Sequence, residues 1–177
     1  MDRFGEYRNN QFIKDAFEAL DYIQTDGADE GKVEDLAGLE EKVYIEEGFG
    51  AAGDGQSRWL TDGCQRLIFE SNYGAEIKDE AGKILGHNSA AFVLLHELAH
   101  AKKELIDNIH PPKLDKPPTP EQIKAYREWQ AREEGIVRPS ENVAAKVLKN
   151  EFDRPVGSIT KPKKMTGGVT STTPQDR

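Results

Sequence analysis

The chain has 177 residues, of which 36% are hydrophobic, and 32 acidic against 24 basic residues give it a formal net charge of −8. This length is typical of one domain with one hydrophobic core, and the acidic balance argues against general nucleic-acid binding, which requires a clustered basic surface. The single cysteine, Cys64, excludes an internal disulfide, and we interpret it as a small core residue.

The sequence shows no targeting or membrane signal. The first residues contain no basic region followed by an apolar run, and no segment approaches the ~20 apolar residues of a membrane span. We therefore expect neither a cleavable signal peptide nor a membrane span. Export by a secretion system that needs no cleavable signal is compatible with this pattern, and a cytoplasmic location is the alternative.

The first half of the chain predicts one amphipathic helix followed by short strands. Apolar residues recur every three or four positions from residue 10 to residue 23, as on one face of a helix. Residues 42–46, 64–70 and 75–78 are rich in β-forming side chains and predict strands. The glycine-rich residues 48–55 lack the Gly-Lys-Ser/Thr ending of a phosphate-binding loop, so they predict a flexible connection.

The segment from Ala90 to His100 is an apolar run that follows a helix-start signal at Ser89 and ends in His-Glu-Leu-Ala-His. On an α-helix, residues four apart lie on one face, so His96 and His100 can direct their imidazoles at one zinc ion while Glu97 reaches a water molecule. Burying three ionisable groups on such a helix without a metal would cost several kcal/mol. The motif therefore predicts the H-E-x-x-H centre of a zinc metallopeptidase, with Glu97 as the general base.

Downstream of the motif the sequence predicts a proline-rich connector, two helices and a tail. Five of the nine prolines fall between residues 111 and 120. A capping box of Thr119 and Gln122 begins a helix that we expect to stop at Gly135, and Ser140 is expected to cap a last helix that ends before Arg154. Few large apolar residues follow, which predicts one domain over residues 1–156 and a disordered, solvated tail over residues 157–177.

A catalytic zinc ion requires a third protein ligand besides two histidines. His110 lies too far along the chain for the extended H-E-x-x-H-x-x-G-x-x-H motif, and the glycine of that motif is missing. Asp107 and Asp115 are acids close to the motif in sequence. A helix packed across the motif helix can also present a carboxylate to the metal, which favours Glu133 or Glu134.

Several segments together resemble a known family. Residues 94–101, the pair Glu133-Glu134, the sequence Ser140-Glu141-Asn142 and Arg154 resemble the effector-type zinc metallopeptidases that bacterial secretion systems inject, which are in turn similar to clostridial neurotoxin light chains. The resemblance covers roughly residues 64–155, and its H-E-x-x-H part carries most of the weight.

This resemblance implies roles for the downstream residues. Glu134 would be the third zinc ligand and Glu133 its neighbour, whereas a helical wheel centres Glu133 on the apolar face of its helix and makes it the alternative ligand. Glu141 is interpreted as a favourable charge at a helix start. Relatives usually carry a Tyr beyond the Arg, but no Tyr follows Tyr126 here, which leaves Arg154 as the candidate for stabilising the oxyanion.

The sequence thus predicts an α+β protein with a zincin-like metallopeptidase domain, in which helices pack on a small, mostly antiparallel sheet. The expected function is Zn²⁺-dependent hydrolysis of protein or peptide substrates by a secreted or injected bacterial effector or toxin. Its expected partners are the substrate and a cognate immunity or inhibitor protein, without nucleic acid. The alternatives are a cytosolic regulatory metallopeptidase and a zinc-stabilised interaction module without turnover.

Overall fold

A computed structural model describes residues 11–48, 56–60 and 65–175 of the chain. Cys64 and most of the glycine-rich segment 48–55, on which the sequence made predictions, lie outside the described residues. The described helices are α1 (Gln11–Ile23), α2 (Lys32–Ala37), α3 (Ala90–Leu105) and α4 (Pro120–Leu148), with a short 3-10 helix at Thr25–Gly27. The described strands are β1 (Tyr44–Glu47), β2 (Arg58–Leu60), β3 (Arg66–Phe69), β4 (Tyr73–Lys78), β5 (Ile84–Asn88) and β6 (Ile159–Lys164).

The strands form two three-stranded sheets within these ranges, where the sequence predicted one small sheet. The first has the order β1-β3-β2, with β1 parallel and β2 antiparallel to β3. The second has the order β5-β4-β6 and is antiparallel throughout. Helices together with small, mainly antiparallel sheets agree with the predicted α+β class.

The motif helix α3 lies at the centre of the packing and contacts α1, α2, α4, β2, β3 and β4. Its buried side chains are Ala90, Ala91, Phe92, Leu94, Leu95, Leu98, Ala99 and Ala101. These residues cover most of the helix surface, and burying each Leu or Phe side chain among them contributes about 1.5–3 kcal/mol to stability. The remaining face carries the histidines of the motif.

Two helix starts follow the predicted capping. The Oγ atom of Ser89 accepts the Phe92 N–H at the start of α3. At the start of α4, Thr119 Oγ1 accepts the Gln122 N–H, and the Gln122 side chain accepts the Thr119 N–H in return. These bonds satisfy N–H groups that the first turn of a helix leaves unpaired, and they confirm both predicted starts.

The continuous helix α4 replaces the two helices that the sequence predicted. It runs for 29 residues although Gly135 and Pro139 lie inside it. The predicted stop at Gly135 and new start at Ser140 were wrong, because one buried face continues across both positions and its packing outweighs a proline cost of about 3 kcal/mol. That face comprises Glu133, Val137, Glu141, Ala144, Ala145 and Leu148. The Ser140 hydroxyl donates to Glu30 Oε2 at 2.5 Å instead of capping a helix.

The C-terminal segment is part of the fold. Strand β6 pairs with β4 over six residues, from Tyr73↔Lys164 to Lys78↔Ile159. Beyond it, Val169 is only 1% exposed, and its carbonyl accepts the Ala91 N–H in the first turn of α3 at 3.0 Å. The prediction of a disordered tail was therefore wrong for residues 157–175. Strand β6 has few apolar side chains, but its backbone N–H and C=O groups pair with those of β4, and this pairing does not depend on apolar content.

The described helices range from 6 residues in α2 to 29 residues in α4. None of them combines the length and the apolar content that crossing a bilayer requires.

Candidate metal centre

His96 and His100 lie one turn apart on α3 and face each other across a narrow gap. Their Nε2 atoms are 2.9 Å apart, and their ring planes meet at 84° with the centroids 4.4 Å apart. Both side chains are 14% exposed. The helical spacing of four residues therefore brings the two imidazoles together, as the motif predicts.

Each imidazole is held from behind by a carboxylate of α4. His96 Nδ1 lies 2.9 Å from Glu141 Oε1, and His100 Nδ1 lies 3.0 Å from Glu133 Oε1. An ionised carboxylate only accepts hydrogen bonds, so each Nδ1 donates, and a neutral imidazole then carries its lone pair on Nε2. The two carboxylates thus fix the tautomer in which both Nε2 lone pairs point into the gap.

Glu134 completes a group of three ligand atoms. Its Oε1 lies 3.5 Å from His96 Nε2 and 3.6 Å from His100 Nε2, and the three atoms all lie within 4.8 Å of one another. From these separations, the point in the plane of the three atoms that is equidistant from them is about 1.9 Å from each, and zinc–nitrogen and zinc–oxygen bond lengths of about 2.0–2.2 Å are reached just outside that plane. When both imidazoles are neutral, with each Nδ1 donating to a carboxylate, the three converging atoms are all acceptors, and such a set of residues fits a zinc ion.

The electrostatics of the group favour a positive charge between these atoms. Burial has the largest effect on the pKa of His96 and lowers it, but the Glu141 charge and hydrogen bonds with Glu134 and Glu141 raise it well above its usual range. For His100, burial again lowers the pKa, and hydrogen bonds with Glu133 and Glu134 more than reverse this, raising it to about 9. Burial raises the pKa of Glu134, yet its hydrogen bonds with both histidines hold it far below the usual range. A bound metal ion supplies the positive charge that these shifts favour.

Glu97 lies beside the three ligand atoms but turns towards β2. Its Oε2 accepts the backbone N–H of Trp59 at 2.6 Å. Burial, the largest effect, raises the pKa of the Glu97 carboxyl, while His96, His100 and the Trp59 N–H lower it, and the net shift is upward. A carboxylate with a raised pKa is a stronger base, which suits proton transfer near neutral pH.

A cavity of ≈ 180 Å³ opens onto the group, and His96, Glu97 and Glu134 form part of its wall. The other lining residues lie just before β2, in β4, at the end of β5, in the first turns of α3, in α4 and the segment after it, and in β6. A cavity of about 150 Å³ holds a benzene ring, so this one has room for one side chain or a small molecule. The cavity therefore gives a small chemical group access to His96, Glu97 and Glu134.

Arg154 lies at the edge of the same group. Its Nη1 is 3.8 Å from Glu134 Oε2 and 3.8 Å from Glu141 Oε2, and neither of these oxygens accepts a hydrogen bond from the described residues. The Arg154 backbone is fixed by Asn142, which accepts its N–H at 3.0 Å and donates to its carbonyl at 3.3 Å. The structure thus places a cation next to two of the carboxylates and on the cavity wall.

The other acids and the histidine considered from the sequence have different partners. Asp107 accepts from Lys103 Nζ at 2.6 Å, and Asp115 accepts from Gln122 at 3.0 Å. His110 Nδ1 lies 3.8 Å from a carboxylate oxygen of Glu104. None of the three belongs to the group of ligand atoms found among the described residues.

Two residues that hold the centre were missed from the sequence. Glu141 was interpreted as a helix-start charge, but its position inside a continuous α4 brings it to His96. Its spacing of eight residues from Glu133, on one uninterrupted helix, is the signal that could have found it. Trp59 was not singled out, and no local sequence pattern pairs it with Glu97, 38 residues away.

No protein-family model matches this chain, and no curated protein or solved structure matches it significantly. The assignment of function therefore depends on the geometry of the centre and on the motif.

Proposed function

We propose that this protein is a zinc-dependent metallopeptidase that hydrolyses peptide bonds within protein substrates. One observation carries the proposal: His96, His100 and Glu134 direct three ligand atoms at one point, with Glu97 beside them. Two histidines and a carboxylate leave the fourth position of a tetrahedral zinc ion open, which distinguishes catalytic from structural zinc sites.

A bound zinc ion supplies Lewis acidity, which polarises a peptide carbonyl and lowers the pKa of water towards about 7. Glu97 is the general base in this proposal. Because its Oε2 accepts the Trp59 N–H, we assign Oε1 to take the proton from the attacking water and to pass it to the leaving amine. Arg154, on the cavity wall, is the group proposed to stabilise negative charge on the carbonyl oxygen.

The carboxylates behind the histidines are proposed to hold the ligands in their binding orientation. Glu133 and Glu141 each fix one Nδ1, and both side chains are 6–7% exposed. Such hydrogen bonds set the imidazole orientation and raise its basicity as a ligand. The zincin-like fold, the zinc ion and the third-ligand role of Glu134 all belong to this proposal.

The test begins with metal content and ends with peptide cleavage. Protein purified without added metal is expected to contain about one zinc per chain by elemental analysis. The zinc-loaded protein is then incubated with a mixed library of unmodified peptides, and mass spectrometry detects new termini. Glu97→Gln is expected to keep zinc and fold but to lose at least about 100-fold in rate, because an amide cannot accept the proton. A Glu97→Gln variant as active as the wild type would remove Glu97 from the base role.

A zinc-stabilised interaction module is the second candidate, because the same three ligand atoms can hold a metal without turnover. In that case chelation lowers the melting temperature while no peptide in the library is cleaved by the zinc-loaded wild type.

The biological setting is proposed from the motif resemblance. In this proposal the protein is an effector or toxin that is secreted or injected and acts on proteins of a host or rival cell. A cognate immunity protein would inhibit it. A neighbouring gene for a small inhibitor supports this setting, whereas a neighbouring repressor gene supports a cytosolic regulatory peptidase.

A further inference from the structure

Strand β2 contacts the motif helix through two hydrogen bonds of a single residue. The backbone N–H of Trp59 donates to Glu97 Oε2 at 2.6 Å, and its indole Nε1–H donates to Glu104 Oε2 at 2.7 Å. Glu97 and Glu104 are seven residues apart on α3, which is two helical turns on one face. Trp59 is 9% exposed, so both bonds form in a largely buried environment.

The strand geometry explains why this N–H is available. Trp59 lies opposite Leu67 in the antiparallel pair of β2 and β3. In such a pair, backbone N–H groups alternate between facing the partner strand and facing away from it. The Trp59 N–H faces away from β3 and towards α3, where Glu97 accepts it.

The described part of β2 is only three residues long, so few ladder bonds fix its edge. The indole bond to Glu104 adds a second point of attachment, two turns along the helix from Glu97. Glu104 is itself largely buried, at 12% side-chain exposure, and hydrogen bonds to an ionised carboxylate are about twice as strong as neutral ones. This contact therefore sets the position of β2 relative to the base.

We propose that Trp59, anchored by Glu104, is a positioning residue for the general base Glu97. The anchor holds the Trp59 N–H against Oε2, so that Oε1 stays directed at the attacking water. This inference rests on the proposed peptidase function. Proton transfer requires the base within hydrogen-bond reach, and a misplacement of about 1 Å can cost on the order of 100-fold in rate.

The test uses four variants of the full chain. Trp59→Phe keeps an aromatic ring and the backbone N–H, and it removes the indole donor together with part of the ring volume. Glu104→Leu removes the acceptor, and Glu104→Gln keeps an acceptor oxygen and is the rescue variant. Trp129→Phe is the matched control, because the Trp129 Nε1 has no hydrogen-bond acceptor among the described residues.

Turnover is measured on the peptide that the wild type cleaves best in the library, and amide hydrogen exchange at residue 59 is measured by NMR without substrate. Trp59→Phe and Glu104→Leu are expected to lower kcat by about tenfold or more with KM and zinc content unchanged, since the base is displaced but not the binding site. Trp129→Phe is expected to match the wild type. Glu104→Gln is expected to stay closer to the wild type than Glu104→Leu, because its amide oxygen still accepts the indole N–H in a weaker bond. The residue 59 amide is expected to exchange faster in Glu104→Leu than in Glu104→Gln.

Three outcomes overturn the inference alone: wild-type kcat in Trp59→Phe, equal kcat in both Glu104 variants, or unchanged amide exchange in Glu104→Leu. If Trp59→Phe does not fold, the two Glu104 variants decide. A wild type that binds zinc but cleaves no peptide overturns the proposed function, and with it any role of Trp59 in positioning a base.

Discussion

The ranking of three acids by zinc affinity tests the assignment of the metal centre most directly. Glu134 Oε1 lies 3.5 and 3.6 Å from the two Nε2 atoms, whereas Glu133 and Glu141 each lie close to the Nδ1 atom of one imidazole. On the proposed assignment, Glu134→Ala removes a ligand, and Glu133→Ala or Glu141→Ala removes a support of one imidazole.

The magnitudes follow from these positions. Loss of a carboxylate behind a histidine ligand typically lowers metal affinity about 10–100-fold, which is about 1.4–2.7 kcal/mol. Glu134→Ala is expected to exceed that range. Because Glu133 and Glu141 hold two imidazoles of the same group, whose Nε2 atoms are 2.9 Å apart, their effects in a double variant are expected to be coupled and not simply to add in free energy. The double variant of Glu133 and Glu134 is expected to be the weakest binder, since Glu133 can no longer move in as a substitute ligand.

Competition with a chelating dye at fixed pH measures these affinities on metal-free protein, and circular dichroism confirms that each variant is folded. Glu128→Ala is the matched control on the same helix, because the Glu128 side chain is 64% exposed and contacts Lys124 at 3.9 Å. A weaker affinity in Glu133→Ala than in Glu134→Ala would make Glu133 the ligand. Wild-type affinity in all three single variants refutes the centre as described.

Three further predictions concern stability. The pKa of His100 is raised to about 9 from an ordinary 6.5, so protonation of His100 stabilises the metal-free fold fully below pH 6.5, and this stabilisation is lost as the pH rises towards 9. The melting temperature of chelator-treated protein should therefore fall between pH 6.5 and pH 9, whereas that of zinc-loaded protein should not. Parallel curves for the two forms would contradict this prediction. Val169→Ala should lower the free energy of unfolding by about 2 kcal/mol because Val169 is 1% exposed, whereas Val156→Ala, at 93% exposure, should change it by less than about 0.5 kcal/mol. Equal effects in denaturant titrations would show that the C-terminal segment is not part of the core. Gly135→Ala should stabilise the protein by about 0.5–1 kcal/mol, because Gly135 lies inside a helix and a Cβ there meets nothing within 4 Å. Gly74→Ala should destabilise the protein, because a Cβ at Gly74 would lie 2.0 Å from a backbone oxygen of β5. The reverse order of stability in urea titrations would refute this prediction.

The continuity of α4 shows where local sequence signals fail. Gly135 and Pro139 are strong breakers within a short window, and Ser140 is a strong cap. The free energy that keeps the helix intact comes from a buried face spread over sixteen residues, from Glu133 to Leu148, and packed on other elements. Helix propensity depends on each residue and its near neighbours in sequence, so it contains no information about packing against other elements. The same limitation hid β6, whose lysines and proline pair with β4 because of the partner strand and not because of their own composition.

The sequence by itself determined the parts of this protein whose physics is local. A period of 3.6 residues places His96 and His100 on one helical face, and the caps at Ser89 and Thr119 follow from hydrogen bonds over three residues. Only the tertiary structure decided which carboxylate meets which nitrogen, because the partners come from another helix whose path depends on packing. It placed Glu134 at the two Nε2 atoms and Glu133 and Glu141 at the two Nδ1 atoms. It also brought Trp59 to Glu97 across 38 residues, a contact that depends on strand pairing and burial and that no sequence period encodes.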